Sequence, residues 1–283
     1  MNIILVIGIV GESIFMKCDH FHKPGETISV DDIYTEIGGK GFNQALTIKE
    51  LGGDVKFICA LGNDTIKDKC INDIKMLGVT FDYFIDQNKK TAYANILTNK
   101  AGDNRVSVYQ GASLKVDNLP KIYEEVDKAE YILLQLEIPY DINLNIAKYA
   151  KSKNKKVILN PAPVFDINEL LKYVDIITPN EIEAISLFGI NYQEELLNKP
   201  FKTIVTRGDK TTLLIDDVVK EYQTEKVTPK DTTGAGDAFN GALVYCLSVG
   251  ENIENAIKHA NKVASHTVQY DYVLPGILSL KIK

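Results

Sequence analysis

No stretch of this 283-residue chain is apolar for long enough to cross a membrane, and no cluster of lysine and arginine offsets its formal net charge of −6. The first absence excludes a spanning role. The second excludes a nucleic-acid partner, because backbone phosphates demand concentrated cations and the lysines here are scattered among acids. The four cysteines, Cys18, Cys59, Cys70 and Cys246, lack the spacing of a disulfide framework, and the N-terminus enters a strand-like run at residues 3–8 with no cleavable leader. A reduced, cytoplasmic protein is the expectation. Cys18, His20 and His22 alternate along one segment but have no fourth ligand, so they do not make a zinc site. The 14 tyrosines are dispersed and read as core and rim residues. His259 and His266 fall seven apart on one helix and read as packing or surface residues.

What is present is an ordinary globular composition, 45% apolar and 25% charged, enough for one full core with or without a small appendage. From about Ala129 short β-branched runs alternate with amphipathic stretches. Strands are expected at residues 131–136, 157–159, 175–178 and 203–206, with helices near 141–153, 167–173 and 181–188. That order predicts a parallel sheet with crossover helices. Each strand is followed at once by a residue of chemical interest: Glu137, Asn160, Asn180, then Arg207 and Gly208. Open α/β sheets bind ligands at these carboxyl ends. Residues 91–98 and 105–110 alternate around a turn that contains Gly102 and predict an antiparallel hairpin, while residues 28–37 predict a further strand. These form a small β flap over the ligand end, or an ordinary edge hairpin.

The densest signal is DTTGAGDAFNG, Asp231 to Gly241. Gly234 and Gly236 leave backbone N–H groups open to an anion, Ala235 lies between them, and the helix that follows directs its positive end to the same spot. Asp237 then stands where a base would meet a transferring phosphoryl group, or else simply caps the helix. The apolar spacing from Ala238 to Leu247 predicts a real helix, closed by Gly250. A second glycine turn, GGKGFN at residues 38–43, is not a Walker A loop, which needs Ser or Thr after the lysine. Lys40 and Asn43 could donate to a polar substrate, or the segment could be only a turn.

Together these motifs resemble the ribokinase family of carbohydrate kinases, also called the PfkB family, over nearly the whole chain. GGKGFNQA (38–45) matches the first signature and DTTGAGDAFNGA (231–242) the second, with QLEIP, LNPAP and ITPNEIE in order between them. The resemblance implies a three-layer α/β/α ribokinase-like fold with a central, mostly parallel sheet and a small β-sheet lid. Residues 1–283 would form one kinase domain, with the lid drawn from about 11–37 and 91–110. It implies phosphoryl transfer from ATP, with Asp237 as base, the turn from Gly234 to Asp237 as anion hole, and Asn180 with Glu183 organising Mg²⁺. The bland reading of that last pair is an N-cap and its capping-box partner. Thr206, Arg207 and Gly208 match the family's nucleotide turn, although Thr211 replaces its second glycine. Asn261 matches a position beside adenine, against a solvent-facing helical Asn.

Gly39, Lys40, Asn43 and Glu137 match residues that bind the acceptor sugar. The first strand departs from the family, with Gly11 and Ser13 where members that act on ribose carry an Asn and an Asp; Glu12 between them points to the opposite face. This change is expected to bear on the choice of substrate, with ribose or a related pentose or hexose as the acceptor. Asp231 and Thr233 keep the first half of a monovalent-cation loop, but Tyr270, Asp271, Tyr272 and Val273 replace its basic-Gly-Ala half, which weighs against K⁺ activation. A primary-hydroxyl sugar kinase is the leading expectation. A nucleoside kinase of the same family and a non-catalytic sugar- or nucleotide-binding regulator stay open. An exposed flap edge could also pair with a second copy.

Overall fold

The computed structural model describes residues 2–101 and 103–280. The chain opens with β1 (Ile4–Ile7), β2 (Gly11–Cys18), β3 (Asp32–Gly38), α1 (Lys40–Glu50), β4 (Val55–Gly62), α2 (Thr65–Met76) and β5 (Thr80–Asp86). It continues through β6 (Ala92–Asn99), β7 (Asn104–Tyr109), α3 (Leu119–Lys128), β8 (Tyr131–Gln135), α4 (Tyr140–Ser152), β9 (Lys156–Asn160) and β10 (Ile176–Ile177). The last third holds α5 (Glu181–Phe188), α6 (Tyr192–Glu195), β11 (Lys202–Val205), β12 (Thr212–Ile215), β13 (Val219–Tyr222), α7 (Ala235–Ser248), α8 (Ile253–Thr267) and α9 (Val273–Leu278).

Nine strands form one sheet in the order β13-β12-β11-β10-β9-β8-β1-β4-β5, parallel from β5 to β11 and antiparallel at β12 and β13. Its centre is apolar on both faces, as a sheet covered on both sides requires. Successive side chains of β1 go to opposite faces. Leu5 and Ile7 pack with Ile122, Val126, Ile142 and Ile146 of α3 and α4, whereas Ile4 and Val6 pack with Phe42 and Leu46 of α1. Each such fully buried side chain contributes about 1.5–3 kcal/mol.

A third apolar cluster joins α7 and α8 through Phe239, Leu243, Ile257 and Ala260. Helix α7 also crosses α1, at Gly241. A Cβ there would come within 2.7 Å of Thr47 Cβ and 2.8 Å of Gln44 carbonyl oxygen, so only glycine lets the two helices meet this closely.

A separate four-stranded sheet, β3-β2-β6-β7, stands beside the strand ends. Ser13 faces Glu36 across the β2–β3 pair and Ala94 across the β2–β6 pair, so these residues share one face with Gly11, Phe15 and Ile96. Tyr272, just before α9, holds a positive φ of 65° that a bulky residue rarely adopts. Its ring stacks on Tyr34 at 4.0 Å and meets Phe15 edge-on at 5.1 Å, which keeps it there.

The structure departs from the sequence-based expectations at three elements. The helix expected at 167–173 is a single 3₁₀ turn, Leu170–Tyr173, because the Asp166 carboxylate takes the Asn168 N–H in a local turn that competes with the first helical turn. The strand expected at 28–37 begins only at Asp32, where pairing with Lys17 becomes available. The hairpin is β6 and β7, shifted by one residue at each strand, and Gly102 in its turn lies outside the described residues.

The α1–α7 crossing yields a test. Gly241→Ala should force the helices apart and lower stability by about 1–3 kcal/mol, read as a drop in chemical-denaturation midpoint.

Candidate active site

Asp237 sits in the first turn of α7 and is only 6% exposed. The α1–α7 contact brings two donors of α1 onto its carboxylate: Asn43 Nδ2 donates to Oδ2 at 2.9 Å and Gln44 Nε2 to Oδ1 at 3.2 Å. Burial raises the Asp237 pKa, while Lys40 and these two donors oppose the shift. The Lys40 ammonium is held up chiefly by Asp237 and secondly by Glu137. Glu137, following β8, accepts the Lys40 N–H at 2.9 Å and thereby caps α1; burial pushes its carboxyl up to about 7 despite Lys40.

The preceding turn has the expected glycine chemistry. Gly234 is left-handed at φ 76°, and a Cβ on it would meet the Val273 side chain at 2.6 Å. Around Gly236 there is open space, with nothing within 4 Å of a built Cβ. Ala235 N–H donates to Thr232 carbonyl oxygen at a long 3.3 Å, and the N–H groups that follow it at this helix start have no intrahelical acceptor and carry the positive end of the dipole.

Two cavities flank the turn. One, of 580 Å³, is lined by Thr206, Gly208, Thr232, Ala235, Gly236, Phe239 and Asn261. The other, a cleft of 160 Å³, is lined by Gly11, Ser13, Glu36, Gly39, Lys40, Asn43, Glu137, Thr233 and Asp237, with Phe15, Ile96, Val106 and Val108 on the side of the small sheet. The residues expected to bind the acceptor line the smaller cleft, and of those expected on the nucleotide side Thr206, Gly208, Gly236 and Asn261 line the larger cavity, whereas Asn180 and Arg207 line neither.

Residues 1–276 match the pfkB family carbohydrate kinase. The ribokinase of Staphylococcus aureus is 32% identical, over 95% of this chain and 94% of that protein. The solved ribokinase of Thermotoga maritima superposes with a TM-score of 0.88 at 33% identity, covering 99% of this chain and 98% of the other. Arabidopsis thaliana ribokinase, solved with ribose and ATP, superposes with a TM-score of 0.83 at 28% identity, covering 99% and 98%. The chain belongs to the pfkB family of carbohydrate kinases. It is accordingly a phosphotransferase acting on a sugar hydroxyl, and its fold is ribokinase-like.

Not every expected residue of this carbohydrate kinase points where the sequence suggested. Arg207 does not line the larger cavity: its Nε donates to Thr211 carbonyl oxygen at 2.8 Å, its guanidinium also meets the Thr211 hydroxyl, and Glu221 lies 3.5 Å away. Thr211, in place of a glycine, has thus become the anchor that turns Arg207 aside. Asn261 is buried, not solvent-facing; it accepts from Thr212 Oγ1 at 2.7 Å and donates to Gln223 carbonyl oxygen at 3.2 Å. Asn180 caps α5, accepting the Glu183 N–H at 2.8 Å while Glu183 Oε2 accepts the Asn180 N–H at 2.8 Å. Asp231 accepts the Thr233 N–H at 2.8 Å in a local turn. The Tyr270–Val273 segment is tied to the small sheet instead, through the Tyr272 ring and through Glu36, which accepts the N–H groups of Val273 and Leu274 at 3.1 Å each.

Cys18 donates to Thr98 carbonyl oxygen, and His20 pairs with Asp19 and Glu26. Among the described residues one group has metal-ligand proximity, formed by Cys246 near the end of α7, Glu251 after it and His259 of α8; burial pushes the Cys246 thiol up to about 12.

The sequence reading missed the support behind Asp237. Gln135 Nε2 donates to Gln44 Oε1 at 2.6 Å, and Gln44 Nε2 also donates to Asn160 Oδ1 at 3.2 Å. Asn240 Nδ2 holds Gly236 carbonyl oxygen at 2.8 Å and its Oδ1 accepts from Thr178 Oγ1 at 2.5 Å. Gln44 lies inside the quoted GGKGFNQA motif, yet nothing local signals that its side chain turns inward. The other missed group is Glu36.

Glu137 supplies a pH test. Its folded-state pKa of about 7 exceeds the ordinary 4.5, so the folded protein holds a proton that the unfolded chain releases. The Glu137 contribution to stability is therefore expected to be lost as pH rises from about 4.5 through 7, by up to about 3 kcal/mol. Glu137→Gln keeps an acceptor for Lys40 N–H but no charge. Its melting temperature relative to the parent should therefore rise between pH 5 and pH 8, as thermal scans at the two values would show.

Proposed function

We propose that this carbohydrate kinase transfers the γ-phosphoryl group of ATP to a primary hydroxyl of a small sugar. The observation that carries the reading is the placement of the Gly234–Asp237 turn between a nucleotide-sized cavity and a small cleft that holds Lys40, Asn43, Glu137 and Asp237. In this reading Asp237, held by Asn43 and Gln44, accepts the proton of the sugar hydroxyl as that oxygen attacks phosphorus. The N–H groups of Ala235, Gly236 and Asp237 receive the charge that gathers on the transferred group, where preorganised donors act most strongly. Lys40 adds a fixed positive charge beside Asp237. Thr206, Gly208 and Asn261 line the nucleotide side.

Glu183 and Asn180 fit an indirect Mg²⁺ site. The capping box engages only Oε2 of Glu183, and Mg²⁺ needs few protein ligands when waters and phosphates supply the rest. The bound ion would neutralise phosphate charge. K⁺ activation is not part of the proposal, because the Tyr270–Val273 segment is committed to contacts with the small sheet.

The acceptor cleft favours a monosaccharide over a nucleoside, since 160 Å³ is well below the ~300–1,000 Å³ of pockets for larger ligands. Asn43 Oδ1 is buried without a partner among the described residues and can accept a sugar hydroxyl. The small sheet serves as a lid in this reading. Strand β7, exposed along its length at the sheet edge, offers backbone groups to a second copy, which supports a homodimer. No described helix is long and apolar enough to cross a membrane, and all four cysteines are free and buried, in keeping with a cytoplasmic enzyme.

The test is Mg·ATP-dependent ADP release across ribose, 2-deoxyribose, fructose, other small sugars and nucleosides. Turnover on one sugar should fall about 10²–10⁴-fold in Asp237→Asn. Equal rates in the two proteins would remove Asp237 from the chemistry, and saturable ATP binding without turnover on any acceptor would favour a binding regulator.

A further inference from the structure

Glu36 is the one carboxylate that the paired strands place on the inner face of the small sheet within the acceptor cleft. It lies directly opposite Ser13, so both side chains emerge on the same face over the same space. It is 4% exposed and takes part in no ion pair among the described residues. Two of its roughly four acceptor positions are used by the N–H groups of Val273 and Leu274. The rest have no protein donor among the described contacts. Of the sheet's other residues at the cleft, Phe15, Ala94, Ile96, Val106 and Val108 offer no side-chain hydrogen bond, while Glu12 and Tyr93 alternate to the other face and Glu12 is paired with Lys69. A carboxylate buried without a cation is costly, and burial raises the Glu36 pKa to about 7. A substrate that donates hydrogen bonds to it would offset that cost.

We propose that Glu36 is a specificity-determining residue that binds hydroxyl groups of the acceptor sugar from the side opposite Asp237, with Ser13 as its neighbour. The inference rests on the sugar-kinase reading of the same cleft and deepens it. The acceptor is a polyol that presents adjacent hydroxyls toward the small sheet, since a carboxylate with two free acceptor positions receives two donors at once. Through Val273, whose side chain packs on Gly234, the same carboxylate links the acceptor wall to the glycine turn.

The experiment compares the parent with Glu36→Ala, Glu36→Gln and the double variant Ser13→Asp/Glu36→Ala. It measures acceptor KM, ATP KM, melting temperature and, by calorimetry with a non-hydrolysable ATP analogue and Mg²⁺, sugar affinity. The expected result is an acceptor KM or Kd raised tenfold or more in Glu36→Ala, with ATP KM changed less than twofold. The double variant, which returns a carboxylate to the same face but not to the Val273 and Leu274 N–H groups, should recover most of the acceptor affinity while its melting temperature stays low. If Glu36→Ala does not fold, Glu36→Gln carries the comparison, with a smaller rise in acceptor KM expected. An acceptor KM within twofold of the parent in a folded Glu36 variant, whatever happens to the melting temperature, would make Glu36 a helix-capping group and overturn the inference while the kinase reading stands. No rescue by Ser13→Asp would overturn it as well. A parent protein that neither phosphorylates nor binds any sugar in the panel would overturn both.

Discussion

The site depends on one buried carboxylate. Asp237 is tolerable in the interior only because two amide donors, a nearby ammonium and a helix start surround it, and each of those requires a particular backbone placement. Asn43 and Gln44 reach it because α1 and α7 touch at Gly241, one helical turn beyond Asp237. Lys40 reaches it because Glu137, at the end of β8, caps the first turn of α1. The parallel sheet supplies the common frame, since its strand ends present Glu137, Asn160 and Thr206 along one edge, as ligand sites in open α/β sheets require.

The same buried network explains why the glycine turn can be both open and rigid. Asn240 fixes Gly236 carbonyl oxygen from below and Val273 closes over Gly234, while the space above Gly236 stays free. In the proposed reaction this separates two tasks. The turn receives phosphoryl charge, and Asp237 handles the proton. The C-terminal segment contributes through Tyr272 and Glu36, which bind it to the small sheet by ring stacking and two hydrogen bonds. The segment that replaces the second half of the family's cation loop is thus committed to an intramolecular contact with the small sheet.

Much of this was legible from the sequence for physical reasons. Strand–helix alternation after Ala129, the glycines before α7 and the alternating hairpin are local patterns, and local patterns survive tertiary context. What was not legible depends on distant partners. Gln44 meets Asp237 across 193 positions and Gln135 across 91, so its role has no local signature. Glu36 looked like any polar residue of a strand until pairing put it opposite Ser13 on the inner face. Arg207 looked like a ligand until Thr211 captured it. The helix expected at 167–173 shrank to one 3₁₀ turn because Asp166 offered its backbone a competing hydrogen bond.

The central claim is that Asp237 and the Gly234–Asp237 turn meet the reacting atoms together. It is tested most directly by a crystal structure with Mg²⁺, ADP, aluminium fluoride and the preferred sugar. The account predicts the fluoride centre on the N–H groups of this turn, and the attacking hydroxyl about 2.6–3.2 Å from an Asp237 carboxylate oxygen. A sugar bound in the cleft with its nearest hydroxyl out of reach of Asp237, or the fluoride centre held elsewhere, would contradict it.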